Sequence, residues 1–321
     1  GSGLDDTLTG DSGVNTIFGG GGADTISGGG AVDTLYGEGG DDTLRGDVGD
    51  DILYGGDTTT DTGSDTADYS TVTNATFTGV DADLTRAGAQ VVEDGHGSAD
   101  TLYGIENISG TNYDDLIKGS DDITELNVLS GNDGDDSFKS SDGQDSIIGG
   151  ADVDTIDYST ITNGSLTGLD LDFDVLGEEK SITKTTVNGS FVDLVKSVEV
   201  VIGTDYIDTF VGGSGDDRFY GQDGDDTFTG NSGADTLVGE SGDDLLNGGV
   251  GDDTLQGGIG DDTLVGGTGD DLLDGGTNVG DRDVADYTSA STKIELDLEN
   301  NQVIGAHSGT DTIQNIEVIL A

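Results

Sequence analysis

Nineteen nine-residue units recur along this chain in three phased blocks. The first block runs from GSGLDDTLT at Gly1 through six units to Tyr54. The second opens with GTNYDDLIK at Gly110, passes over Gly119-Ser120-Asp121 and closes at Asp157 after five units. The third holds eight units from Gly203 to Asp274. Position eight is apolar in every unit, and glycine dominates positions one and four and recurs at position two. Position six is Asp in seventeen units and Asn in two, Asn15 and Asn127. A unit this short cannot bury its own apolar face, so neighbouring units must stack to make a core.

The last three residues of each unit, typically Thr-Leu-x, favour a short strand. The first six favour a tight turn, since glycine adopts positive φ without steric cost. Strand plus turn is half of a flattened coil, so two units make one full coil with a strand on each face. The expected fold is all-β: parallel β-roll (β-solenoid) blocks with position eight pointing inward from two parallel sheets.

Such a core is thin. One apolar side chain per nine residues is little to set against the entropy of ordering nine residues. The charge deepens the problem, because 67 acids face 10 lysines and arginines for a net charge of −57. A chain so acidic and so poor in aromatics would otherwise stay disordered. It also makes a poor partner for nucleic acid or an anionic membrane. Cysteine is absent, which excludes disulfides and Cys-ligated zinc, and no apolar run approaches the ~18 residues needed for a membrane span.

The turns offer the missing stabilisation. Units n and n+2 place their turns one above the other on one edge, so their position-six carboxylates should converge. Carboxylate and backbone carbonyl oxygens in a flexible cage suit Ca²⁺, and suit zinc, copper or magnesium less well. The expected ligands are Asp6, Asn15, Asp24, Asp33, Asp42 and Asp51 in the first block. In the second they are Asp115, Asn127, Asp136, Asp145 and Asp154. In the third they are Asp208, Asp217, Asp226, Asp235, Asp244, Asp253, Asp262 and Asp271. Stacking two units apart gives about 13 ions. Asn15 and Asn127 keep an oxygen and lose a charge, so their sites should be weaker. The second Asp that often stands at position five, as in Asp216 and Asp252, is expected to face water or support the ion from a distance.

A related insert follows each block. The inserts open with Asp65–Ser70, Asp154–Ser159 and Asp283–Thr288, each carrying Asp-Tyr-Ser or Asp-Tyr-Thr. An alternating strand pattern follows at Val80/Ala82/Leu84, Leu169/Leu171/Phe173 and Ile294/Leu296/Leu298. They close with Ile105–Ile108, Val198–Val201 and Ile316–Ile319. The modules read from this are 1–109 (block 1–56, insert 57–109), 110–202 (block 110–157, insert 158–202) and 203–321 (block 203–276, insert 277–321). The inserts are expected to cap or link the rolls, since a parallel roll leaves unpaired strand groups at its ends. Both ends of the chain match the module junctions, so the chain reads as a piece cut in phase from a longer array. Head-to-tail self-association is the matching expectation.

The units resemble the G-G-x-G-x-D-x-U-x repeat of the repeats-in-toxin (RTX) proteins, which Gly248–Gln256 and Gly257–Val265 match in full. That resemblance implies a right-handed roll that folds only with calcium, and type I secretion to the cell exterior. Asp122–Ser130 and Ser140–Ile148 depart from the pattern by lacking their leading glycines.

The remaining features have modest readings. Tyr69, Tyr158 and Tyr287 recur at one register and suit half-buried plugs at the end of a roll. His96 and His307 sit in Gly/Ser-rich turns and are expected to be exposed rather than ligands. Asp170, Asp172 and Asp174 imitate the start of an EF-hand loop. Val175 and Ser181 break that motif, which leaves a strand with its acids facing water. No H-E-x-x-H and no G-x-S-x-G motif is present. The chain therefore reads as a non-enzymatic, calcium-dependent structural segment of a large secreted or surface protein, of adhesin, S-layer or filament type. The alternatives are the accessory region of a secreted protease, lipase or polysaccharide-modifying enzyme, and a glycan-binding module.

Overall fold

A computed structural model describes residues 1–56, 63–72, 79–85, 90–122, 126–139, 141–161, 166–172, 180–186, 189–277, 280–291, 293–297, 299–305 and 309–321. Phe173, Asp174, Val175, Leu298 and His307, and parts of the two glycine-poor units, lie outside them. The regular elements among the described residues are all β-strands. They form two compact units, Gly1–Ile156 with Leu194–Val198, and Asp157–Asp193 with Glu199–Ala321.

In the first unit, successive nonapeptides alternate between two parallel sheets. Thr7–Thr9, Thr25–Gly30 and Thr43–Val48 pair in register on one face, with Leu8 opposite Ile26 and Ile26 opposite Leu44. Thr16–Gly21, Thr34–Gly39 and Ile52–Gly56 do the same on the other, with Ile17 opposite Leu35 and Leu35 opposite Leu53. The second unit repeats the plan. Arg218–Asp223, Thr236–Ser241 and Thr254–Ile259 stack on one face, and Thr227–Ser232, Leu245–Val250 and Thr263–Thr268 on the other. Position eight fills the space between the sheets: Leu35, Leu44, Phe210, Phe228, Leu255 and Leu273 are fully buried. Leu8 and Ile17, in the outermost coil, are only half-buried. This is the parallel β-roll that the nine-residue period requires.

The inserts link coils and continue the sheets. Thr66–Asp68 pairs with both Thr43–Val48 and Asn107–Ser109, and Asn107–Ser109 pairs onward with Leu126–Asp133. On the other face Ala99–Tyr103 stacks on Ile52–Gly56. Two antiparallel strands, Gln90–Asp94 and Val80–Asp83, then lead to Leu116–Lys118. In the last insert Thr310–Gln314 stacks on Leu272–Asp274 and carries the antiparallel strands Gln302–Ile304 and Glu295–Asp297. The alternation holds as expected at Val80, Ala82 and Leu84, and at Leu169 and Leu171, which are all buried. It does not hold at Leu296, which is 44% exposed on the last antiparallel strand. The EF-hand imitation is strand Leu166–Asp172, antiparallel to Lys180–Thr186, with Asp170 exposed.

Position nine points outward. In the first unit it builds a column of parallel rings, Phe18 on Tyr36 on Tyr54 on Tyr103, with centroids 4.7, 4.8 and 4.8 Å apart. That is the spacing of hydrogen-bonded strands.

Candidate functional site

Each position-six side chain arrives at the turn just before its strand begins. The strand pairing therefore fixes its height in the stack. Except for Asp6 and Asn15, which are half-buried in the terminal coil, all the expected ligands are buried. One carboxylate oxygen has a constant role, accepting the backbone N–H of the position-six residue of the coil below. Asp24 Oδ1 accepts from Asp6 at 2.7 Å, Asp33 from Asn15 at 2.6 Å, Asp42 from Asp24 at 2.7 Å and Asp51 from Asp33 at 2.6 Å. Asp136 and Asp154 continue the ladder in the middle block, at 2.8 and 2.9 Å. Asp226, Asp235, Asp244, Asp253, Asp262 and Asp271 continue it in the third, all between 2.7 and 3.0 Å.

The second oxygen is the notable one. Among the described residues Oδ2 of Asp24, Asp33, Asp51, Asp136, Asp226, Asp235, Asp244, Asp253, Asp262 and Asp271 is buried with no hydrogen-bond partner. A buried, unsatisfied carboxylate oxygen is costly, and a series of them needs an explanation. Each aims into a small space beneath the position-one glycine of its own unit. A Cβ on Gly28 would stand 2.5 Å from Asp33 Oδ2 and 2.8 Å from the Gly46 carbonyl oxygen. A Cβ on Gly212 would stand 2.5 Å from both Asp217 Oδ2 and the Gly230 carbonyl oxygen. Glycine thus leaves open a cradle walled by one carboxylate oxygen and a carbonyl from the next coil. Those are hard oxygen donors, the set that holds calcium.

The convergence differs in detail from the sequence reading. Among the described residues no group of three or more acidic or histidine side chains meets at one point. Carboxylates of successive coils split their oxygens between a backbone N–H and the cradle, where a backbone carbonyl faces the second oxygen. Both carboxylates do approach the Gly46 position, with Asp51 Oδ2 2.5 Å and Asp100 Oδ2 3.0 Å from a Cβ there.

Several expected ligands are engaged otherwise. Asp115 Oδ2 accepts the Thr111 N–H and Asp208 Oδ2 the Thr204 N–H, both at 2.7 Å, and Asp217 Oδ2 accepts the Gly213 N–H at 2.8 Å. Asp6 Oδ2 accepts the Ser2 N–H, and Asn15 Oδ1 accepts the Asp11 N–H at 2.8 Å. Asp145 Oδ2 accepts the Ser141 hydroxyl at 2.8 Å. Asn127 accepts the Ser120 N–H at 2.6 Å and donates to the Glu106 carbonyl at 2.7 Å.

The ladder also runs through residues that the nine-residue count passes over. Asp65 accepts from Asp42 N–H at 2.9 Å, Asp100 from Asp51 at 2.9 Å, Asp283 from Asp262 at 3.0 Å and Asp311 from Asp271 at 3.2 Å. Glu106 and Glu317 take the same part with longer arms, accepting from Asp65 at 2.8 Å and Asp283 at 3.0 Å. The signal lay in Asp-Thr-apolar triplets such as Asp65-Thr66-Ala67 and Asp311-Thr312-Ile313.

Position five carries structure rather than loose charge. Asp216 accepts the N–H of Ala234 at 2.7 Å, Asp243 that of Asp261 at 2.9 Å and Asp252 that of Asp270 at 2.9 Å. This second ladder points up the stack, whereas the position-six ladder points down.

Burial, followed by the like charge of neighbouring coils, raises the cradle acids. Asp226 and Asp136 are pushed up to about 8, Asp262 to about 7, and Asp51, Asp235, Asp244, Asp253 and Asp271 to about 6. Crowded acids held this way release protons when a cation arrives.

His96 Nδ1 lies 4.0 Å from buried Asp94, whose carboxylate is already taken by the N–H groups of His96 and Ser98 and by the Ser98 hydroxyl.

Stacked nonapeptide coils with glycine-roofed oxygen cradles define a calcium-binding β-roll. The chain belongs to the RTX calcium-binding nonapeptide repeat family, which matches residues 1–35, 27–58, 127–159, 202–237, 220–255, 229–264 and 247–278, a little over half of its length. Among solved structures the chain is similar to the extracellular lipase LipA from Serratia marcescens, with 21% identity and a TM-score of 0.24. That similarity covers 67% of this chain, and the chain spans 40% of the lipase. No curated protein sequence matches the chain.

Proposed function

We propose that this chain is a calcium-dependent structural segment of a large secreted or cell-surface protein, adhesin, S-layer or filament in type. The observation that carries this reading is the column of buried Oδ2 atoms aimed into glycine cradles. Asp24, Asp33, Asp42, Asp51, Asp136, Asp154, Asp226, Asp235, Asp244, Asp253, Asp262 and Asp271 are the ligands we assign, with position-one carbonyls completing the cages. Calcium bound there neutralises buried acids and clamps one coil to the next.

Secretion through a type I system fits this requirement. A chain that cannot fold in a low-calcium cytoplasm would do so outside the cell. Among the described residues no helix is long and apolar enough to cross a membrane.

The test is circular dichroism and small-angle scattering of the purified chain during calcium titration. Strand signal and a compact radius should appear together as calcium rises. A fully formed strand spectrum in chelator would end the proposal. Electron microscopy of the same samples tests head-to-tail assembly, with chains joined end to end in calcium as the expected result.

A further inference from the structure

The opening motif of every insert carries a tyrosine, and the strand ladder shows which place that tyrosine takes. In a regular coil the position-one N–H donates to the position-nine carbonyl of the next unit, as Gly10 does to Ser27 at 2.8 Å and Gly212 to Thr229 at 2.7 Å. Tyr69 N–H donates to Ser109 at 2.8 Å, Tyr158 to Ile202 at 2.9 Å and Tyr287 to Leu320 at 2.8 Å. Each tyrosine therefore stands where a coil would have its first glycine.

The sixth position of the same coil lies beyond the insert. Thr101 pairs with Ile52 and Thr312 with Leu272, which puts Asp100 in register with Asp51 and Asp311 with Asp271. Leu194 pairs with Ser146, so Asp193 holds the register of Asp145. The whole insert is thus looped out between positions one and six of a single turn.

A side chain at position one must enter the space that glycine leaves open. Tyr69 Oη donates to Asp100 Oδ2 at 3.2 Å, and Tyr158 Oη to Asp193 Oδ2 at 2.8 Å. Tyr287 is buried beside Asp311, but among the described residues neither its Oη nor Asp311 Oδ2 has a hydrogen-bond partner, so the third insert does not repeat this pairing. The middle insert adds a charge. Lys184 Nζ lies 2.8 Å from Asp193 Oδ1, and both side chains are buried. In the other two inserts the antiparallel neighbours of Asp100 and Asp311 are Val92 and Val303.

We infer that the coils headed by Tyr69 and Tyr158 bind no ion: a tyrosine hydroxyl takes up the carboxylate at Asp100 and Asp193, and the Lys184 ammonium supplies the positive charge at Asp193. The inference rests on the calcium reading above, since it says where that column of ions is interrupted. It also gives a reason for the placement of the inserts, because a turn closed by a side chain tolerates a long loop that an ion cage would not.

Calcium-loaded crystals of the full chain, read by anomalous scattering from calcium, decide the matter. Peaks are expected under glycine-headed coils such as those of Asp33, Asp226 and Asp253, with none under Tyr69 or Tyr158. An ion under either tyrosine, with that tyrosine displaced, overturns the inference and leaves the calcium reading standing. A map with no calcium anywhere overturns the calcium reading instead. Counting bound calcium by mass spectrometry provides the check in solution. Asp193→Asn should leave the count unchanged, whereas Asp253→Asn should lower it by about one. Equal losses from the two variants would sink the idea. The double variant Tyr158→Gly, Lys184→Met should gain about one ion, and an unchanged count in a folded sample counts against it. Should either variant fail to fold, the wild-type map still decides.

Discussion

The coil headed by Gly248 and the coil headed by Tyr158 solve one problem in two ways. Both bring an aspartate to position six, Asp253 and Asp193, and both bury it. Under Gly248 one oxygen is left facing a cradle of backbone carbonyls. Under Tyr158 the phenol and Lys184 take up the carboxylate from within the chain. The first solution is compact and repeatable, and on the proposed reading it depends on an ion from outside. The second is self-contained and costs a buried lysine, a group held only by good pairing. The comparison shows that the roll requires a satisfied carboxylate at this height and accepts more than one way of satisfying it.

The largest expected effect separates the two kinds of coil directly. Removing calcium with a chelator should unfold the glycine-headed coils as a body, with loss of the strand signal in circular dichroism. Hydrogen exchange during the same titration should show the Asp253 coil opening first and the Tyr158 coil among the last. Simultaneous opening would remove the distinction.

Core truncation should not distinguish them. Leu255→Ala and Leu102→Ala remove equivalent, fully buried position-eight side chains. Each should cost about 2–5 kcal/mol in calcium, measured by thermal unfolding. A much smaller loss at Leu102 would mean that the insert-bearing coil is looser than its burial indicates.

Next in size is the ladder bond. Asp253→Ala leaves the Asp235 N–H without its acceptor at 2.9 Å as well as removing a cradle oxygen. The lost hydrogen bond alone should cost about 1–3 kcal/mol. Asp253→Asn keeps an acceptor for that bond, so the gap between the two variants isolates the ladder from the ion.

The pH dependence follows from the raised carboxyls. Asp226 at about 8 and Asp262 at about 7 lie above the value of 3.8 expected when unfolded, because burial and then like charge penalise their ionised forms. The metal-free folded chain therefore binds more protons than the unfolded one. Its stability should fall as pH rises from about 4 to about 8, and acid should partly substitute for calcium in compacting the chain. Calcium binding at pH 7 should release protons, seen as a buffer-dependent heat in calorimetry. Asp100, at about 8 beneath Tyr69, should keep its raised titration in calcium while that of Asp226 drops.

The smallest effect concerns the backbone. Position two takes positive φ whether or not it is glycine, as at Glu240 (φ 74°) and Gly258 (φ 122°). Glu240→Gly should relieve left-handed strain and stabilise by less than about 1 kcal/mol in thermal unfolding.

The core and the ladder were legible in the sequence because both follow a strict period. Leu255 and Asp253 recur every nine residues, and stacking leaves them one place to go. What the period could not show was how a carboxylate divides its two oxygens, since that depends on hydrogen bonds between coils. The position-five acids face water as read, and only the bond each accepts was hidden: Asp216 looks like surplus charge until the Ala234 N–H is placed beside it. The further ladder members Asp65, Asp100, Asp283 and Asp311 were hidden by loops that break the count without breaking the stack. Tyr69 and Tyr158 were read as half-buried plugs at the end of a roll, whereas both are buried. Their equivalence to glycine appears only once their N–H groups are found on the same ladder.

The ring column Phe18–Tyr36–Tyr54–Tyr103 has an optical consequence. The chain has no tryptophan, so its near-ultraviolet spectrum belongs to tyrosine and phenylalanine. Three phenols held face to face at 4.8 Å couple electronically, and that coupling vanishes when the coils separate. The first unit thus carries a native chromophore stack. Its assembly can be timed without any label, coil upon coil, as calcium arrives.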